Sequence, residues 1–95
     1  MPSLSEYVNV YDSVLEVLRK KDFRVWVDEH ADMFCAEKDG WDFMAENPIS
    51  LLGLVALFEY LGPDTYKEYW WKLEGPLDYQ TLPKKPPDYI PIWKK

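Results

Sequence analysis

A single cysteine, Cys35, leaves this chain without an intrachain disulfide, which excludes a disulfide-stapled secreted scaffold and makes a reducing cytoplasm the expected compartment. One histidine, His30, and that one thiol cannot build the usual structural zinc tetrad. No Gly-x-x-x-x-Gly-Lys-Ser/Thr loop is there to cradle phosphates, and none of the serines stands in a Gly-x-Ser-x-Gly turn. The string Val27-Asp28-Glu29-His30 therefore reads as a solvated acidic face and not as a magnesium-binding box. No cofactor is implied, and no enzymatic activity is expected.

Long apolar runs are missing as well. The most apolar segment, Ile49 to Leu61, contains Ser50 and Glu59 and falls short of the ~20 residues that cross a bilayer. The opening Met-Pro-Ser-Leu-Ser-Glu-Tyr has neither a basic start nor an unbroken apolar stretch, so no export signal is expected.

The 95 residues that are present suit one core, and an aromatic share of 17% supplies large pieces of buried surface. Formal net charge is −6, and the acids are unevenly placed. Residues 25–46 hold Asp28, Glu29, Asp32, Glu37, Asp39, Asp42 and Glu46 against Lys38 alone. Such a field repels nucleic acid, whose binding depends on Lys and Arg at phosphates. It would instead steer a basic partner.

The apolar pattern predicts an all-α domain of about four helices over residues 1–75, with an extended proline-rich arm over 76–95 laid back across it. Leu4, Tyr7, Val8, Tyr11, Val14, Leu15 and Leu18 recur at helical spacing, behind a Ser3–Glu6 capping box and ahead of the basic Arg19, Lys20 and Lys21. From Asp22 to Lys38 two periods compete. Phe23, Val25 and Val27 alternate like a strand, whereas Phe23, Trp26, Val27, His30, Ala31 and Phe34 recur like a helix that Gly40 would end. The helical period accounts for more residues, so a helix is predicted there, with an α+β fold carrying a small strand pair near 23–27 as the alternative. Asn47-Pro48 supplies an N-cap and a first-turn proline for a third helix that Gly62-Pro63 ends. Asp64 then caps a short fourth helix, from about Thr65 to Leu73. The arm contains Pro76, Pro83, Pro86, Pro87 and Pro91, a density that forbids helix. Its Pro83-Lys84-Lys85-Pro86 also fits the minimal pattern of a polyproline ligand.

Two features point to partner binding. The acids Asp28, Glu29, Asp32, Asp39 and Asp42 are candidates for electrostatic steering. The aromatics Tyr66, Trp70 and Trp71 are candidates for lasting affinity, because adjacent tryptophans seldom both reach one core, and exposed Trp and Tyr dominate binding hot spots. The expectation is a small acidic protein-binding module, such as an immunity-type inhibitor of a basic protein. The alternatives are an accessory subunit or self-assembling homo-oligomer and, more weakly, a small-ligand site at the aromatic cluster. Neither nucleic acid nor membrane is an expected partner.

Overall fold

The computed structural model describes residues 2–95, in which a three-stranded antiparallel sheet carries two helices on one face. This α+β architecture corrects the expectation of a four-helix, all-α bundle. The elements run α1 (Tyr11–Lys20), β1 (Arg24–Asp28), β2 (Met33–Lys38), β3 (Trp41–Ala45) and α2 (Pro48–Leu61), with strand order β1-β2-β3.

The predicted second helix is where the sequence period misleads. Asp39 and Gly40 form the two-residue connection between β2 and β3 and adopt φ values of 52° and 87°. A tight hairpin whose turn matches the strand twist needs positive φ at both central residues, and Asp-Gly is among the pairs that supply it most cheaply. At the other end of β2, the Asp28 carboxylate accepts the backbone N–H groups of His30 (3.0 Å) and Ala31 (3.2 Å), and Asp32 closes the connection at φ 54°. Aspartate tolerates the left-handed region better than most residues, so part of the acidic stretch is turn chemistry.

Strand alternation then sorts the side chains. Val25, Val27, Phe34, Ala36, Phe43 and Ala45 share the helix-bearing face, whereas Arg24, Trp26, Asp28, Met33, Cys35 and Met44 share the other. On the helix side, Val14 and Leu18 of α1 and Leu51 and Val55 of α2, each pair four residues apart, close over Phe23, Ala36 and Ala45. Leu18, Leu51 and Val55 are wholly buried.

Helix α2 forms where the sequence predicts it. The Asn47 side chain accepts the Ser50 N–H at 2.8 Å, Pro48 opens the first turn, and Gly62 ends the helix in the left-handed conformation (φ 54°, ψ 51°). Helix α1 starts later than expected, at Tyr11 after a 3-10 turn over Val8–Val10. Leu4, Tyr7 and Val8 are exposed, and no Ser3–Glu6 capping box forms; Glu6 instead accepts a hydrogen bond from Asn47 Nδ2 at 3.0 Å. The predicted fourth helix is absent: residues 68–71 make a turn, with Tyr69 at φ 59°.

From Trp71 to Ile90 every residue is exposed. The solvent-accessible surface of 8341 Å² therefore exceeds the roughly 5,700 Å² of a compact monomer of this mass. The radius of gyration, 16.1 Å, likewise exceeds the about 12 Å of a compact chain of this length.

Candidate functional site

The connection leaving α2 builds a cleft at the Asp39–Gly40 end of the sheet. Gly62 in its left-handed conformation and Pro63 turn the chain back towards the β2–β3 hairpin. Trp70 then docks on the aromatic cluster of the core, its ring centre 5.4 Å from Trp41, 5.8 Å from Phe58 and 6.4 Å from Phe43. Trp41 also lies 6.4 Å from Tyr66. Edge-to-face contacts of this kind add to the apolar burial. They pin a segment that has no helical hydrogen-bond ladder of its own.

Asp39, Trp41, Asp42, Asp64, Tyr66 and Trp70, with Gly40 and Thr65, enclose a cavity of about 400 Å³. No basic residue lines it. Lys38, next to Asp39 in sequence, is turned elsewhere, with its Nζ donating to the Lys21 carbonyl at 3.0 Å and lying 5.6 Å from the centre of the Phe23 ring, and Lys67, next to Tyr66, lines a neighbouring groove with Asp64, Thr65 and Trp70. Asp39, Asp42 and Asp64 thus line the same cavity as three aromatic side chains, with no basic residue in that lining. A second, apolar groove of about 350 Å³ adjoins the cleft, where Trp71 faces Met44, Leu54 and Leu57. Leu54 (41%), Met44 (47%) and Trp71 (49%) keep much of their surface in water.

The sequence candidates therefore separate into two groups. Asp39, Asp42, Tyr66 and Trp70 come together in the cleft, and Trp71 lies in the adjoining groove. Asp28, Glu29 and Asp32 sit at the opposite end of the sheet, about 16 Å away by the length of a five-residue strand. Asp64 is the member that the sequence does not single out, because its place after Gly62-Pro63 reads as a helix cap alone. The signal was Gly62-Pro63, which reverses the chain and carries Asp64 to the hairpin.

Beside the cleft, the Glu37 carboxylate stabilises the hairpin. It accepts the Gly40 backbone N–H at 2.9 Å and Arg24 Nε at 2.7 Å. The amide first, and the guanidinium second, hold its carboxyl below the usual carboxylate range. Among the described residues no group of three His, Cys, Asp or Glu side chains is arranged to hold a metal ion, and no helix is long and apolar enough to cross a membrane. Cys35 is free and buried. No family model, no curated protein and no solved structure matches the chain.

Proposed function

We propose that the chain is a small protein-binding module that takes a basic segment of a partner protein into the acidic, aromatic cleft, as an immunity-type inhibitor masks a basic surface. The observation supporting this reading is that Asp39, Asp42 and Asp64 line the same cavity as Trp41, Tyr66 and Trp70. An arginine side chain matches both kinds of wall. Its guanidinium forms paired hydrogen bonds with carboxylates and stacks on aromatic faces, whereas a neutral ligand would leave the carboxylates uncompensated. The chain's net charge of −6 adds long-range attraction for a basic partner.

The test is capture from native host lysate with the wild-type chain and the Asp39→Asn/Asp42→Asn/Asp64→Asn variant in parallel, at low and moderate salt. A basic protein held stoichiometrically by the wild type and lost with the variant is the expected result. A partner retained equally by both contradicts the proposal.

The arm favours a second reading, an accessory subunit. Leu77 (82%), Tyr79 (81%), Ile92 (74%) and Ile90 (67%) present apolar surface to water without a cover. Residues 76–95 carry four lysines against Asp78 and Asp88, so the arm is basic on an acidic chain. Under this reading the captured partner survives moderate salt and is lost when Tyr79, Ile90 and Ile92 are replaced by serine.

A further inference from the structure

We infer that β1 is a self-complementary edge through which two copies of this chain pair into one six-stranded sheet. Strand β1 has a neighbour on one side only. Its consecutive apolar residues Val25 (37%), Trp26 (47%) and Val27 (49%) are exposed on both faces of the sheet. An uncovered edge of this kind presents unpaired backbone donors and acceptors to any strand that can match it.

The strand reads Arg-Val-Trp-Val-Asp, and this order selects its own copy as that match. In an antiparallel pair centred on Trp26, Arg24 of each copy opposes Asp28 of the other, Val25 opposes Val27, and the two tryptophans meet on the two-fold axis. Opposite charges and apolar pairs placed directly across strands each stabilise a sheet, and like charges there destabilise it. The same two-fold axis brings the acidic turn with Glu29 and Asp32 towards Arg19, Lys20 and Lys21 at the basic end of α1 in the other copy. The charges at the two ends of the edge are therefore complementary in sign despite the acidic net charge of the whole chain, with Arg24, Arg19 and Lys21 also paired within their own chain to Glu37, Glu16 and Glu59 and Lys20, among the described residues, in no such pair. Beneath the edge on the helix side, Leu15, Val25, Val27 and Phe34 line an apolar groove of about 210 Å³ that a second copy would close. The other edge lacks this pattern. Strand β3 reads Trp-Asp-Phe-Met-Ala, with an acid and no base to oppose it.

Sedimentation equilibrium of the full chain from about 10 μM to about 1 mM covers the range expected of a small interface. The mass should rise from 11.3 kDa towards twice that value, and added salt should reduce the rise. Trp26→Lys places two like charges on the two-fold axis and should hold the protein monomeric with an unchanged circular dichroism spectrum. Trp26→Cys in a Cys35→Ala background should form a covalent dimer on mild oxidation, since directly opposed residues in antiparallel strands lie within disulfide reach. A constant 11.3 kDa across the range, or a dimer that survives Trp26→Lys with no cross-link from Trp26→Cys, overturns the inference.

Discussion

Gly40 donates its backbone N–H to the Glu37 carboxylate at 2.9 Å, across the two-residue turn that joins β2 to β3. The same carboxylate takes Arg24 Nε from β1 at 2.7 Å, so one side chain of β2 ties β1 to the turn that leads into β3 at the end of the sheet that bears the cleft. Because these bonds favour the ionised form, the Glu37 pKa is lower in the folded chain than in the unfolded one. Its contribution to stability is then complete above the ordinary carboxylate range and is lost as pH falls through the depressed folded value. Glu37→Gln should lower the urea midpoint at pH 7 and make the midpoint less sensitive to pH between neutral and acid. An unchanged acid slope in the variant would place that pH dependence elsewhere.

The glycines at φ 87° and φ 54° have a comparable role in the backbone. Gly40→Ala and Gly62→Ala meet no steric obstacle at the added Cβ, so the left-handed backbone conformation alone sets their cost. Each should lose about 1 kcal/mol in chemical denaturation. Gly53→Ala, within α2 and open to solvent, should instead stabilise by up to about 1 kcal/mol. Opposite signs at these positions test the backbone reading directly.

Trp70 and Trp71 are adjacent in sequence but differ in environment. Trp70 packs on Trp41, Phe43 and Phe58, whereas Trp71 is about half exposed and meets the Tyr69 ring at 5.9 Å. Trp70→Ala should cost about 3 kcal/mol and speed hydrogen exchange from Tyr66 to Trp71. Trp71→Ala should stay within about 1 kcal/mol. Urea titration of the two variants separates them, and equal losses would contradict the assigned docking.

Trp26, Cys35 and Met44 stand directly opposite one another across the three strands, on the face that no helix covers. Cys35 is nevertheless 4% exposed, while both neighbours are 47% exposed. The thiol should react slowly with a disulfide reagent in the native protein, and Trp26→Ala should raise that rate at unchanged global stability. A fast wild-type reaction would mean that the cross-strand cover is missing.

Much of α2 was legible in the sequence because capping chemistry is local: Asn47-Pro48 and Gly62-Pro63 act through their own backbone neighbours. The sheet was not, because Phe23, Trp26, Val27, His30, Ala31 and Phe34 fit a helical period better than Phe23, Val25 and Val27 fit alternation. Asp39-Gly40 carried the deciding information, and a reading that treats the glycine as a helix terminator discards it. The acids and aromatics of the cleft were legible as residue types. Their convergence depends on the hairpin and on the reversal at Gly62-Pro63, which no local period encodes.

Acceptance of a basic side chain by the cleft can be followed through the indole N–H signals of Trp41 and Trp70 by NMR during titration with short arginine-containing peptides. These two signals should shift in a saturable, salt-sensitive way, acidic peptides should leave them in place, and Asp39→Asn/Asp42→Asn/Asp64→Asn should weaken the response at least about tenfold, the effect of losing ~1.4 kcal/mol of binding. Signals that no basic peptide moves at low salt would contradict it.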